Sequence, residues 1–400
     1  MVDSFIPQIR FKMCKNQWEK NKLSKLAKFN PKSTLPEKFK YVDLESVLGT
    51  DLISYREVSR ENAPSRAQRL AQKGDIFYQT VRPYQKNNYL FDSNEKDYVF
   101  STGYAQLRPL IDGAFLLARL QEESFVNMVL ERCTGTSYPA INSKDLSKIS
   151  VTIPQTIEEQ SAIGSLFRIL DDLLTSYKEN LANYQSLKTT MLSKMFPKTG
   201  QTVPEIRLDG FEDEWELLEI NDLADDFQSG GTPKTNVQEY WDGDIPWIQS
   251  SDLETNCLFE IKVQKSISEK GLKNSSAKII PKDSIAVVTR VGVGKLAVMR
   301  HEYATSQDFL SLSNLKSNIE FTAYLLYRLL QKEVTQLQGT SIKGITKVEL
   351  LSKKVHIPSL PEQQAIGAYF SNLDQLITSY QEKITQLETL KKKLLQDMFI

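Results

Sequence analysis

A chain of 400 residues, 40% hydrophobic and 25% charged with few Gly and Pro, exceeds what one hydrophobic core usually covers and excludes a disordered protein. Its 50 Lys plus Arg balance 50 Asp plus Glu, so net charge gives no strong pull on a polyanion; if the chain reads DNA, another subunit is expected to supply much of the charge. No run approaches 18 uninterrupted apolar residues, the N-terminal stretch has no signal-peptide core, and Cys14, Cys133 and Cys257 are scattered, so a cytoplasmic protein without membrane contact, disulfide framework or metal knuckle is expected.

Taken in chain order, residues 1–158 read as a mixed α/β globule. Residues 75–81 and 97–102 carry the β-branched and aromatic enrichment of strands, and Phe125–Arg132 reads as a short closing helix. The balance of Lys plus Arg over Asp plus Glu here is 23 against 18. A polar and basic segment, Gln79, Thr80, Arg82, Lys86, Asn87 and Asn88, follows the first strand with Tyr84 and Tyr89 interleaved.

Residues 159–200 hold one long helix and a linker. Ile163, Leu170, Tyr177, Tyr184 and Met191 stand seven apart, with Phe167, Leu174, Leu181 and Met195 four after most of them. Heptads sustained this long make an apolar seam that needs a partner helix. Pro154 precedes the helix, and Pro197 with Gly200 ends it.

Residues 201–358 form a second globule. Its 18 basic and 23 acidic residues include ten acids between Glu205 and Asp226; from Phe227 to Pro358 the balance turns to 17 against 13, mildly basic. Residues 277–280 and 284–289 read as strands and Thr322–Leu337 as a helix. Gln249, Ser250, Ser251, Thr289, Arg290 and Lys295 form a comparable polar and basic set. Gly292-Val293-Gly294-Lys295 is not a phosphate loop, because Thr289 and Leu296 occupy the places of its first Gly and its Ser or Thr; a tight turn between two strands is expected instead.

Residues 359–400 bring a second long helix with Ile366, Leu373, Tyr380, Leu387 and Leu394, seconded by Phe370, Ile377, Ile384 and Met398. This segment repeats the first. Glu159–Phe196 aligns on Glu362–Phe399 without a gap, with 18 of 38 positions identical. Gly135-Thr136-Ser137 and Ile153-Pro154 return as Gly339-Thr340-Ser341 and Ile357-Pro358, and Pro7, Ile9, Arg10, Trp18, Glu19, Leu26 and Ala27 return as Pro204, Ile206, Arg207, Trp215, Glu216, Leu223 and Ala224. The seam formed by Ile163, Leu170, Leu174, Tyr177, Leu181 and Tyr184 therefore finds its most economical partner in Ile366, Leu373, Ile377, Tyr380, Ile384 and Leu387. The expected fold class is α+β: two mixed α/β domains alternating with two long helices that pair as an antiparallel coiled coil, in a pseudo-two-fold internal repeat.

Chemistry leaves little trace. His301 and His356 are the two histidines and neither has metal-ligand spacing to Cys or acidic residues; no G-x-G-x-x-G helix start is present. An enzymatic fragment such as a methyltransferase lacks an Asn/Asp-Pro-Pro-Tyr/Phe run here.

The layout and motifs Ser229-Gly230-Gly231-Thr232-Pro233, Tyr240-Trp241-Asp242-Gly243-Asp244-Ile245-Pro246-Trp247-Ile248, Ser251-Asp252-Leu253, Ile267-Ser268-Glu269-Lys270-Gly271-Leu272 and Glu362-Gln363-Gln364-Ala365-Ile366-Gly367 resemble the specificity subunit of type I DNA restriction-modification systems. The first insert lacks the Gly-Thr-Pro and Tyr-Trp-x-Gly runs and keeps mainly Lys73-Gly74-Asp75-Ile76, Arg82-Pro83 and Ser101-Thr102. The resemblance implies a non-catalytic reader of double-stranded DNA, each recognition domain taking one half of a bipartite target. The DNA contacts it implies are Gln79, Thr80, Arg82, Lys86, Asn87 and Asn88 in the first domain and Gln249, Ser250, Ser251, Thr289, Arg290 and Lys295 in the second, residue types that read base edges and phosphates from loops, with an ordinary solvated loop as the competing reading for each. It also implies that the helices set the spacer and dock two modification subunits, which restriction subunits join. No cofactor is expected in this chain; S-adenosylmethionine, ATP and Mg2+ are expected on the partner subunits. A coiled-coil scaffold with two protein-binding heads and no DNA role is the alternative.

Overall fold

The computed structural model describes residues 7–12, 14–336 and 344–399. Gly339-Thr340-Ser341, the second copy of the repeated motif, and Leu337, the expected end of a helix, lie outside the described residues. The chain divides into two compact units, Met1–Asn180 with Tyr380–Ile400, and Leu181–Ser379. The cuts fall in the middle of the long helices, which run Ile157–Lys194 and Leu360–Asp397. Each unit therefore holds the first half of one long helix and the second half of the other.

In the first unit, strands Ala27–Phe29, Tyr104–Pro109, Ile76–Gln79 and Tyr89–Leu90 form an antiparallel four-stranded sheet in that order. A second sheet orders Arg56–Ser59, Lys38–Val42, Tyr98–Ser101 and Ala67–Leu70, with its central pair parallel. Glu19–Lys22 pairs with Ser150–Ile153 and closes the domain's ends together next to the helix start. Phe77 and Phe100 stack at 3.6 Å in the core between the sheets. The expected strands at 75–81 and 97–102 are present but shorter, and the closing helix runs Glu123–Leu130.

The second unit repeats the antiparallel sheet as Ala224–Ser229, Phe309–Leu315, Ser284–Val288 and Leu296–Met299, and the closing pair as Glu216–Glu219 with Lys354–Ile357. The turn expected at Gly292–Lys295 joins the antiparallel strands 284–288 and 296–299, with Gly292 at φ +91° and Gly294 at φ +104°. Residues 277–280 do not form the expected strand: Ile280 alone bridges to Tyr303, and Ile279 is exposed, so the stretch lacks a ladder partner along its length. Helix Ile319–Gln336 packs on this sheet.

Each long helix begins the same way. Glu159 accepts from Arg10 Nε and Nη2 at 2.6 and 2.7 Å, and its counterpart Glu362 accepts from Arg207 Nε and Nη2 at 2.8 and 2.7 Å. These buried, bidentate pairs are the charge-assisted kind that fixes geometry, and each hydrogen bond raises the arginine above its ordinary value. Gln160 Oε1 accepts from Asp112 N, and Gln363 Oε1 from Asn318 N. Gly164 and Gly367 then bring the helix backbone against the next helix start, where a Cβ would meet Asp112 Oδ1 or Asn318 Oδ1 at 2.6 Å. Glycine is required there by close approach.

Within the first unit, the two helix segments touch through Phe167 with Phe399 (5.7 Å between ring centroids), Tyr177 with Tyr380 (5.3 Å) and the ion pairs Lys178–Glu388 (2.8 Å) and Asp171–Lys391. Within the second, Lys188–Asp374 (2.5 Å) and Phe196 with Phe370 (6.1 Å) do the same. Asp171 and Lys188 are the repeat counterparts of Asp374 and Lys391, so one ion pair is made twice. Ile163, Leu170, Leu174, Ile366, Leu373, Ile377 and Ile384 are buried, and Tyr177, Leu181, Tyr184, Tyr380 and Leu387 half-buried. Ile163 and Leu170 also enter the core of the first head with Trp18 and Phe115, and Ile366 that of the second with Trp215 and Phe321. The helix starts are thus welded to their heads.

Candidate nucleic-acid interface

In the first unit the polar segment leaves strand Ile76–Gln79 and turns through a backbone conformation that side chains rarely adopt: Arg82 has φ 54° and Lys86 φ 56°, either side of the short helix Pro83–Gln85. Such strain persists when the surroundings over-determine it, and three of the expected contacts do that work from inside. Gln79 is buried, its N–H donating to Asn88 Oδ1 at 2.8 Å and its Nε2 to Val81 O and Gln85 Oε1. Thr80 is buried and donates to Gly103 O at 2.7 Å. Asn88 is 1% exposed, and its N–H donates to Gly49 O. These three are buried and hold the loop's shape through hydrogen bonds to neighbouring chain. Asn87 also faces the protein, accepting from Gly49 N at 2.9 Å.

Arg82 and Lys86 are the groups the loop presents. The Arg82 guanidinium lies 4.3 Å from the centre of the Tyr138 ring, and Tyr138 is 62% exposed. Exposed Tyr84 stands between the two cations. Lys86 Nζ donates to Glu123 Oε2 at 2.5 Å, a surface pair of small worth. Beside it, burial pushes Glu122 up, but hydrogen bonds from Ser124 and the Arg119 charge hold it below its ordinary 4.5. Tyr138 was not among the residues picked from sequence; its place directly after Gly135-Thr136-Ser137, a repeated motif, was the available signal.

In the second unit two loops converge. Gln249 N–H donates to Asp252 Oδ2 at 3.0 Å and starts the short helix Ser250–Asp252. Lys295, in the hairpin after Gly294, donates to Leu253 O at 2.7 Å and Ser250 O at 3.4 Å. Its charge is therefore spent on carbonyls, clamping the 249–253 loop to the hairpin. Thr289 is buried and donates to Asp308 O at 3.1 Å. Ser251 and Arg290 are exposed, and Val291 is 70% exposed at the hairpin tip. Gln249, Ser250, Ser251, Arg290 and Lys295 are thus parts of one converging surface, with Ser251 and Arg290 at its solvent side and Lys295 and Thr289 behind it. A cation also lies against aromatic rings in this unit: Lys265 Nζ is 5.8 and 5.9 Å from the half-buried Trp241 and the buried Trp247.

Among the described residues no group of three or more His, Cys, Asp or Glu could hold a metal ion, and no helix is long and apolar enough to cross a membrane. What the two units share is a polar and cationic loop surface with aromatic side chains, carried on a β scaffold that is repeated while the loops are not.

The family model for the type I restriction modification DNA specificity domain matches residues 15–184 and again 212–389, one match for each half of the repeat. The chain belongs to that family. It is 23% identical over 429 aligned residues to the type I restriction enzyme HindI specificity subunit of Haemophilus influenzae, covering 88% of this chain and 92% of that one. It is 29% identical over 194 residues to the type I restriction enzyme MjaIX specificity subunit of Methanocaldococcus jannaschii, a match covering 47% of this chain and 44% of the archaeal subunit. The fold is shared with the type I restriction-modification S subunit from M. genitalium, at a TM-score of 0.65 and 15% identity over 99% of both chains. The scaffold reading finds no support among these relatives.

Proposed function

We propose that this chain is the DNA-recognition subunit of a type I restriction-modification complex, in which each head reads one half of a bipartite double-stranded target. The observation that carries the reading is the repeat itself: one sheet topology and one helix start occur twice, while the loops on them differ in every candidate contact. A duplicated frame with unlike loops suits two unlike half-sites. Arg82 and Lys86, with Tyr84 and Tyr138 beside them, would meet the first half-site; Gln249, Ser250, Ser251 and Arg290 would meet the second. Gln79, Thr80, Asn87, Asn88, Thr289 and Lys295 would act one step back, by holding those loops.

The helices Ile157–Lys194 and Leu360–Asp397 would pair as an antiparallel coiled coil and act as the ruler that sets the spacer. Two facts support the pairing: contacts climb one helix as they descend the other within each unit, and the same Asp–Lys pair is made in both. Two modification subunits would dock along the helices and bring S-adenosylmethionine, and restriction subunits would bring ATP and Mg2+. The chain itself would be non-catalytic and would work in the cytoplasm, where the DNA is. Modularity supplies the test. Exchanging residues 28–134 for the corresponding insert of another family member should change one half of the methylated motif and leave the other half intact. A change in both halves would contradict independent readers.

A further inference from the structure

The internal repeat lets one unit serve as the control for the other, and in one place they differ by a missing ring. In the second unit the Asp374–Lys188 ion pair is covered by helix 319–336: Tyr324 donates its hydroxyl to Asp374 Oδ2 at 2.7 Å, and Lys188 Nζ lies 5.7 and 6.0 Å from the Tyr324 and Tyr327 rings. The corresponding helix in the first unit, Gly113–Gln121, is fixed in register by its cap. Asp112 accepts from Phe115 N as Asn318 accepts from Phe321 N, both at 2.9 Å. Counting on from those caps, Ala118 stands where Tyr324 stands, and Gln121 where Tyr327 stands. Beside the matching pair Asp171–Lys391 the first unit has a half-open cavity of about 210 Å3, whose lining mixes apolar Phe167, Leu117, Leu395 and Ala118 with Gln121, Asp171, Lys391 and the charged Asp92, Arg168 and Asp172. A closed apolar cavity of roughly 150 Å3 admits benzene; this one is polar and open on one side, but by size alone it has room for a substituted ring.

We propose that this cavity is a binding site for a small aromatic alcohol, a phenol whose ring takes the place that Tyr324 fills in the second unit. Its hydroxyl would donate to the Asp171 carboxylate, as Tyr324 does to Asp374, and the Lys391 ammonium would lie against its face, an attraction that strengthens when the cation is desolvated. Thr50, Asp51 and Tyr89 of the head also line the cavity. Thr175 on the long helix already donates to Asp51, at 3.1 and 3.2 Å to its two oxygens. A bound phenol would fasten that loop to the helix and raise the first unit's stability in proportion to its occupancy.

The test uses the full chain and p-cresol, which is a tyrosine side chain without its backbone. Calorimetric titration should give saturable binding of one equivalent, with toluene, which lacks the donor, binding at least tenfold more weakly. Ala118→Tyr should abolish binding and raise the first unit's melting temperature; Ala118→Leu fills the same space with less demand on shape and should weaken binding at least tenfold. Tyr324→Ala should open a second site and give two equivalents. N-acetyltyrosinamide, run in parallel, distinguishes a free phenol from a tyrosine presented by a partner chain: tighter p-cresol binding marks the former, tighter binding of the amide the latter. No saturable binding of either, binding unchanged in both Ala118 variants, or toluene equal to p-cresol would overturn the proposal.

Discussion

Arg82 shows what a single residue contributes here and how much of it was legible. Its type and its position after a strand marked it as a candidate reader, but nothing in the sequence disclosed that it takes a left-handed backbone or that it rests on Tyr138, 56 residues away. Residue type also drew in Gln79, Thr80 and Asn88, which are buried because a sharp turn needs polar side chains inside to satisfy its backbone. Polar loop composition cannot separate the groups that shape a loop from those that leave it; the partners lie too far off in sequence. Arg82→Gln keeps the length and removes the charge. It is expected to lower affinity for duplex containing the first half-site about tenfold, within the roughly 1–3 kcal/mol that a base or phosphate contact carries, while changes to the second half-site are felt as before. Equal affinity of variant and parent in fluorescence anisotropy with the assembled complex would remove Arg82 from the interface.

At the scale of elements, the long helices were the most legible part, since a heptad seam over 38 residues is a signal no loop can imitate. The strands were legible where both faces are buried, as at 76–79 and 284–288, and failed at 277–280, where apolar residues line an edge with one bridge. The sequence also showed Gly164 and Gly367 at matching positions, and the structure supplies the reason: the helix backbone presses on a neighbouring helix cap. Alanine in mid-helix normally stabilises by about 1 kcal/mol relative to glycine. Here a Cβ at 2.6 Å from Asp112 Oδ1 and Phe115 N forces the elements apart, and overpacking of that kind costs about 1–3 kcal/mol. Gly164→Ala is therefore expected to lower the first unit's melting temperature and Gly367→Ala the second's, by differential scanning calorimetry. A rise on either substitution would mean that the helix does not seat that closely on its cap.

For the whole molecule, the repeat announced two heads, but not that each compact unit draws on both long helices, with cuts after Asn180 and Ser379. That arrangement follows from the residues just past each helix, which belong to the other half's core: Phe399 lies 6.2 Å from Trp18, and Phe196 lies 6.1 Å from Trp215. No local pattern reveals such a return. Near those cuts, at Asn180 and its repeat counterpart Lys383, added length should act on the spacer alone. Four residues inserted after Asn180 and after Lys383, about one helical turn in each helix, are expected to lengthen the gap in the recognised sequence with both half-sites unchanged. An unchanged gap would refute the ruler.

Whether this chain carries two unlike readers is read out by mapping methylation across the genome of a host that carries the cognate modification subunit, with and without this chain. The expected result is a split motif of two short, different halves at a fixed gap that disappears when the chain is absent. A motif that persists without the chain, or one that is continuous, would contradict it.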